Sequence, residues 1–143
     1  MVLATTADPL AVIERLRQAL NQHDLDALLA LFAPDYDSTF PAHPDRTFQG
    51  LAQVRKNWSQ IFSALPNLEA VLLRSAVVEN TVWSEWEWRG AHADGTPFLM
   101  RGVTIQSVQA GRISWARMYM EPVREGAGND AGVRESLAGP ATT

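Results

Sequence analysis

The sequence predicts one α+β domain in which a curved antiparallel sheet and three N-terminal helices enclose an apolar pocket. Two observations indicate this fold class. Apolar residues recur at helical spacings of three and four in the first half of the chain, whereas from Asn67 onward they recur at the spacing of two that is typical of strands. The strands also follow one another without intervening helices, which favours an α+β domain over alternating βα units.

Each predicted helix has recognisable ends. The first begins at Asp8-Pro9, because an aspartate side chain accepts hydrogen bonds from first-turn amides and proline suits the first helical position. A second, shorter helix ends at Pro34, which has no amide hydrogen to donate. The third helix follows Gly50, carries an apolar stripe and ends at Pro66.

The other segments divide into strands, a loop and two tails. A short strand is predicted at 35–40 and a loop at 41–45, and longer strands near 68–79, 81–92, 97–108 and 112–121. Residues 125–143 are rich in glycine and small residues without periodicity, so we expect a disordered C-terminal tail. With a flexible N-terminus at 1–7, the domain itself is predicted to span 8–124.

Composition excludes several functional classes. The net charge of −4 leaves no basic surplus for nucleic acid, and the absence of cysteine excludes disulfides and thiolate chemistry. The three histidines lie in separate segments without metal-ligand spacing, so we expect neither a metal nor another cofactor. Because no apolar run approaches the roughly 20 residues of a membrane span and no leader is recognisable, the expectation is a cytoplasmic protein without a membrane partner.

The register of the last three strands is predicted from their turns. Residues 92–96 resemble a type I turn followed by a left-handed glycine, which gives a three-residue hairpin loop. This loop sets His92 opposite Thr96, Trp88 opposite Met100, Glu87 opposite Arg101 and Trp86 opposite Gly102. The turn at 109–111 has the same character and predicts Met100 opposite Met120, Gly102 opposite Met118 and Arg101 opposite Tyr119.

This register separates apolar from charged side chains. One face collects Trp86, Trp88, Phe98, Met100, Ala116, Met118 and Met120, whereas the other collects Glu85, Glu87, Arg101, Arg117, Tyr119 and Glu121. The apolar face is expected under the helices. A two-residue loop at Asp94-Gly95 is the alternative, and it would shift the pairing by one residue and turn Glu85 and Glu87 inward.

The apolar face is a candidate ligand pocket. Its predicted lining is aromatic and methionine-rich: Tyr36, Phe40, Trp58, Phe62, Trp86, Trp88, Met100, Met118 and Met120. Five tryptophans in 143 residues and methionines on the same face favour a surface that adapts to a small hydrophobic ligand. Ordinary core packing is the alternative explanation, because aromatic residues at these spacings also fill cores.

Asp37 and His43 are the candidate catalytic residues, expected at the pocket mouth. A histidine titrates near neutrality and an aspartate can orient it, so the pair would act as a general base and its partner. The alternative is that His43, which lies between prolines in a polar loop, simply faces solvent.

The charged set Glu85, Glu87, Arg101, Arg117, Tyr119 and Glu121 has two interpretations. In the favoured register it forms cross-strand ion pairs on the outer face, where a homodimer would also form. In the alternative register Glu85 and Glu87 would serve as pocket acids.

Three segments resemble the SnoaL-like, ketosteroid-isomerase-like branch of the nuclear transport factor 2-like superfamily. They are Leu31-Phe32-Ala33-Pro34-Asp35, Trp86-Glu87-Trp88-Arg89-Gly90 with His92, and Gly111-Arg112-Ile113 leading into residues 117–122. The resemblance covers about residues 8–123. It implies a cone-shaped sheet closed by helices, a dimer through the outer sheet face, and a cofactor-independent isomerase, polyketide cyclase or hydrolase, or a protein that only binds its ligand.

The catalytic carboxylates of that superfamily do not carry over to this chain. Ketosteroid isomerases have their proton-abstracting aspartate about where Phe40-Pro41 lies here, and epoxide hydrolases of this fold have a carboxylate nearest to Met118. Neither phenylalanine nor methionine can replace a carboxylate. Function therefore has to be argued from the residues of this chain.

Overall fold

The computed structural model describes residues 8–139 and confirms an α+β domain with a curved, unclosed sheet. The helices are α1 (Pro9–Gln22), α2 (Leu25–Leu29), α3 (Leu51–Ala64) and α4 (Asn129–Leu137). The strands are β1 (Phe32–Thr39), β2 (Phe48–Gln49), β3 (Glu69–Val78), β4 (Thr81–Ala91), β5 (Pro97–Gln109) and β6 (Arg112–Pro122). No helix within 8–139 is long and apolar enough to cross a bilayer.

The six strands form one sheet in the order β2-β1-β6-β5-β4-β3. All neighbours are antiparallel except β1 and β6, which run parallel, so the expectation of a wholly antiparallel sheet is corrected at that pair. The parallel pair arises because β2 and α3 follow β1, and the chain then crosses to the far edge and returns through β3, β4 and β5.

The first strand begins earlier than predicted. Helix α2 ends at Leu29 and β1 starts at Phe32, so Pro34 lies inside a strand instead of terminating a helix. The pairing of β1 with β6 is irregular between Phe32 and Asp37, and a proline without an amide hydrogen is tolerated at such an irregularity. The start of α1 follows the sequence, because Asp8 accepts a hydrogen bond from the amide of Leu10 at 3.1 Å.

The pairing of β4 with β5 confirms the predicted register. Trp88 lies opposite Met100, Glu87 opposite Arg101 and Trp86 opposite Gly102. In the turn, the amide of Gly95 donates to the carbonyl oxygen of His92 at 2.9 Å, and Gly95 has a φ of 85°. The alternative register is therefore wrong, and Glu85 and Glu87 lie on the outer face.

The predicted pairing of β5 with β6 is wrong by two residues. Met100 lies opposite Pro122, Gly102 opposite Met120 and Arg101 opposite Glu121. The loop has two residues, Ala110 and Gly111, both with positive φ as in a type I′ turn. A bulge next to Ser107 then adds one more residue to β6. Because the two shifts add to two, every side chain keeps its predicted face.

The tail differs in part from the expectation of disorder. Residues 129–137 form α4, although none of them is buried. The expectation of disorder over 125–143 is corrected at Asn129–Leu137, which forms a helix although no apolar periodicity marks this segment. Residues 1–7 and 140–143 lie outside the described residues, so the flexible N-terminus stays a prediction.

Helices α1, α2 and α3 cover one face of the sheet and hold the core against it. Apolar side chains of α1 and the buried Trp86 of β4 lie in this core, where Trp86 is 1% exposed. The side chain of Asn21 ties α1 to the edge strand β3, because it accepts from the amide of Ala70 at 2.6 Å and donates to the carbonyl of Ala70 at 3.0 Å.

Candidate functional site

A cavity of about 160 Å³ lies between the helices and the inner face of the sheet. Engineered apolar cavities of about this size bind benzene-sized molecules. Its walls come from both layers: Leu16, Leu20, Phe32, Tyr36, Ser38, Phe40, Phe48, Val54, Asn57, Trp58, Ile61, Trp86, Trp88, Thr104, Gln106 and Met118. The lining is mainly apolar, with a few hydroxyl, amide and indole groups.

Most of the predicted pocket residues line this cavity, namely Tyr36, Phe40, Trp58, Trp86, Trp88 and Met118. Phe62, Met100 and Met120 do not. Phe62 stacks on the His23 ring at a centroid distance of 4.7 Å, which turns it toward the end of α1. Met120 is buried in the core at 7% exposure, and Met100 packs against the core.

The two tryptophans of β4 differ in their hydrogen bonding. Trp86 Nε1 donates to Thr104 Oγ1 at 3.0 Å, and the Thr104 hydroxyl donates to Gln106 Oε1 at 3.1 Å. The Trp88 indole nitrogen is buried and has no hydrogen-bond partner among the described residues. The Trp88 ring contacts Trp58 edge to face, with centroids 5.7 Å apart.

The polar residues of the lining, Ser38, Asn57, Thr104 and Gln106, were missed at the level of sequence. A usable signal was present for two of them. Thr104 and Gln106 share strand parity with Met100, which was predicted to face inward, so both belong to the inner face. Neither side chain is apolar, so the apolar pattern that predicted the pocket does not include them.

Tyr36 supplies a phenol that stays protonated at neutral pH. Burial raises the pKa of Tyr36 to about 12, and the neighbouring Ser38 hydroxyl offsets part of that rise, while the charge of Asp37 adds to it. The phenol is therefore a hydrogen-bond donor in the cavity wall. No Asp, Glu, Lys, Arg or His is among the residues of 8–139 that line the cavity.

The candidate catalytic residues lie outside the cavity lining. Asp37 is exposed and follows Tyr36 on β1, so strand alternation places it on the outer face, in a surface groove with Trp115. His43 Nε2 pairs instead with Glu121 Oε1 at 2.6 Å. The predicted partnership of Asp37 with His43 is thus corrected, and the catalytic role of either residue stays a prediction.

His43 nevertheless lies close to the cavity along the chain. Its amide donates to the carbonyl of Phe40 at 2.8 Å, and Phe40 lines the cavity. A shallow polar groove shares Phe40, Phe48 and Asn57 with the cavity and adds Asp45 and Arg46. The loop that carries His43 therefore borders the cavity mouth.

The outer face carries the predicted pair of Glu87 with Arg101, together with ion pairs of Arg74 and Arg89, which were not in the predicted set. Arg101 Nε contacts Glu87 Oε1 at 2.9 Å, Arg89 contacts the other Glu87 oxygen at 3.1 Å, and Arg74 contacts Glu85 at 3.0 Å. The hydrogen bond from Arg101 is the main reason that the pKa of Glu87 is lowered. Arg117 and Tyr119 are exposed on the same face, and Glu121 is the partner of His43.

The sequence of this domain matches the family model described as SnoaL-like domain over residues 13–116. The chain belongs to the SnoaL-like family. No curated protein matches it in sequence. The sheet, the three covering helices and the cavity therefore represent a SnoaL-like domain, and its fold resembles that of a protein with a ketosteroid isomerase-like fold from Catenulispora acidiphila.

Several solved structures resemble this SnoaL-like chain. A loop-truncation variant of IdmH is 25% identical, with 80% of this chain and 93% of that chain covered and a TM-score of 0.69. Wild-type IdmH, a proposed polyketide cyclase from Streptomyces antibioticus, is 22% identical over 80% of this chain and 92% of that chain, with a TM-score of 0.71. An LEH-like epoxide hydrolase of M. tuberculosis is 16% identical over 81% and 84% of the two chains, with a TM-score of 0.70.

Proposed function

We propose that this SnoaL-like protein binds a small, uncharged and mainly apolar molecule in the cavity between α3 and the inner face of the sheet. The observation that carries the proposal is a cavity of about 160 Å³ whose lining holds no charged side chain but several hydrogen-bonding groups. Binding sites for small molecules combine apolar walls with a few oriented polar groups in this way. The resemblance to IdmH, a proposed polyketide cyclase, supports a small-molecule ligand.

Thermal unfolding with ethylbenzene and with the monoterpene limonene tests this proposal. A ligand at 100 times its dissociation constant raises the free energy of unfolding by about 2.7 kcal/mol. Met118→Trp should fill the cavity and abolish the stabilisation, because Met118 lines it. The exposed Leu73 of β3 provides the control variant Leu73→Trp, which should respond to the ligands as the unaltered protein does. Absence of any stabilisation in the unaltered protein would reject the proposal.

Proton transfer on a cyclic substrate, as in an isomerase, cyclase or hydrolase, is the second candidate function. It is favoured by the hydrogen bond between His43 and Glu121, since a carboxylate that orients an imidazole is a common arrangement for a general base. The carboxylate partner that the sequence suggested for His43 is replaced by Glu121. In this hypothesis a ligand in the cavity would extend past Phe40 toward the His43 loop.

The isomerisation of 3-cyclohexen-1-one to the conjugated ketone tests proton transfer, because it requires removal of a proton next to the carbonyl. We expect His43→Ala to abolish the increase in ultraviolet absorbance. Asp37→Ala is the matched control and should retain activity, because Asp37 lies in a surface groove that shares no lining residue with the cavity. Equal rates for the unaltered protein and His43→Ala would eliminate this candidate and leave ligand binding as the function.

We also propose a homodimer that forms through the outer sheet face. That face exposes Trp83 and Tyr119 between its ion pairs. Light scattering of the unaltered protein and of Trp83→Lys measures the association. A dimer that Trp83→Lys dissociates supports the proposal, whereas a monomer at all protein concentrations contradicts it.

A further inference from the structure

We propose that the cavity selects neutral molecules with a carbonyl oxygen, which accepts a hydrogen bond from the side-chain amide of Gln106, with Asn57 and Trp88 as additional donors. The inference rests on the proposed binding function and adds the chemical class of the ligand. It follows from the direction of the hydrogen bonds around the cavity.

The chain of hydrogen bonds starts at Trp86, because an indole nitrogen can only donate a hydrogen bond. Trp86 Nε1 donates to the Thr104 hydroxyl, whose own hydrogen is then directed to Gln106 Oε1 at 3.1 Å. Gln106 is 3% exposed and lines the cavity, and no residue within 8–139 accepts a hydrogen bond from its amide nitrogen. The chain of bonds thus ends at the Gln106 amide nitrogen, a donor on a residue that lines the cavity.

The other nitrogen groups of the lining are also hydrogen-bond donors. Asn57 Oδ1 accepts from Gln53 Nε2 at 2.8 Å, so its amide nitrogen is the group left for a ligand. Trp88 adds a buried indole nitrogen that has no partner among the described residues. Both amide oxygens of the lining are therefore engaged by protein donors, while the nitrogen groups are available.

This polarity discriminates between classes of ligand. A ketone, ester, lactone or quinone oxygen is an acceptor without a hydrogen and matches the donor groups of Gln106, Asn57 and Trp88. An amine or an amide hydrogen would have to share amide oxygens that already accept a hydrogen bond, or bind the hydroxyl oxygens of Tyr36, Ser38 or Thr104. A carboxylate or an ammonium group would be buried without a charged partner, which is unfavourable. The cavity therefore fits a neutral carbonyl compound best.

Acetophenone and ethylbenzene form a matched pair of probes, because they are similar in size and only acetophenone carries an acceptor oxygen. Their dissociation constants are measured by calorimetry for the unaltered protein and for Gln106→Leu. We expect Gln106→Leu to weaken acetophenone binding about three- to tenfold relative to ethylbenzene. Gln109→Leu, which changes an exposed glutamine of the same strand outside the cavity lining, should leave the ratio unchanged.

An infrared measurement on the unaltered protein covers the case in which Gln106→Leu does not fold. Acetophenone labelled with a heavy isotope at its carbonyl carbon should show a lower stretching frequency when bound than in hexane, because hydrogen bonding weakens the C=O bond. Two results would overturn the carbonyl inference and leave the binding function intact, provided that ethylbenzene binds. One is an unshifted carbonyl frequency of acetophenone, and the other is an unchanged ratio of the two dissociation constants in Gln106→Leu. If neither compound binds, the proposed function fails, and the carbonyl inference fails with it.

Discussion

The two faces of the sheet carry different kinds of polar interaction. On the inner face, Trp86, Thr104 and Gln106 form a chain of uncharged hydrogen bonds under the helices. On the outer face, Glu87 lies between Arg89 and Arg101 and forms ion pairs with both. Neighbouring positions of the same strands thus carry neutral groups on one side and full charges on the other.

The difference follows from the cost of burial. A buried charge needs a partner and several hydrogen bonds, whereas a hydroxyl or amide needs only its hydrogen bonds. On a single protomer the outer face is in contact with water, so arginines and glutamates can pair there at little cost. For function, this means that the inner face is equipped to bind by shape and hydrogen bonding, while any ionic chemistry must come from the rim.

The largest expected effect is a difference in the free energy of unfolding between variants of two tryptophans of β4, one on each face of the sheet. Trp86→Ala should lower the free energy of unfolding by about 3–5 kcal/mol, because it leaves a cavity in the core. At protein concentrations where the protein is monomeric, Trp83→Ala should cost about 1 kcal/mol, because Trp83 is 48% exposed on the outer face of a single chain. Urea unfolding of both variants measures the difference. Similar losses for the two would contradict the assignment of faces.

Gly102→Ala should have the next largest effect and tests how closely the strands approach. A Cβ atom at Gly102 would collide with the carbonyl oxygen of Tyr119 and lie 2.9 Å from the Cα atom of Met120. Because these are backbone atoms, the strands would have to separate, at a cost of about 1–3 kcal/mol. Gly95→Ala is not a suitable control, since its φ is positive. Gly132→Ala, which meets no neighbouring atom, should cost far less.

Much of this architecture could be predicted because turn chemistry is local. Gly95 at a left-handed position set the register of β4 and β5, and that register sorted the two faces correctly. The turn at Ala110 was misjudged because alanine rarely adopts positive φ, yet here it has a φ of 52°. The bulge near Ser107 carries no sequence signal that we recognised.

The parts of the site that escaped prediction depend on long-range contacts. Glu121 comes to His43 from 78 residues away, after β6 has joined β1 in a parallel pair that the sequence did not indicate. Phe62 does not line the pocket, and its ring stacks on the ring of His23 instead. Thr104 and Gln106 were within reach of prediction through strand parity alone, since both follow Met100 at even spacing.

The smallest expected effect concerns the pH dependence that the outer face gives to stability. Arg101, through its hydrogen bond, lowers the pKa of Glu87 in the folded protein below its ordinary value of 4.5. A lowered folded pKa means that Glu87 stabilises the fold above its unfolded pKa and that this stabilisation is lost as the pH falls through the folded pKa. Glu87→Gln should therefore reduce stability slightly near neutral pH and flatten the loss of stability in acid.

Urea unfolding at about pH 7 and about pH 3 measures this difference, since carboxylates titrate between these values. The matched control is Glu125→Gln, because Glu125 is exposed and lies beyond the last strand. The unaltered protein and Glu87→Gln should differ at the higher pH and converge at the lower one. A constant difference at both values would mean that Glu87 contributes through packing instead of charge, and the inner Trp86–Thr104–Gln106 chain, which has no ionisable group, should show no such dependence.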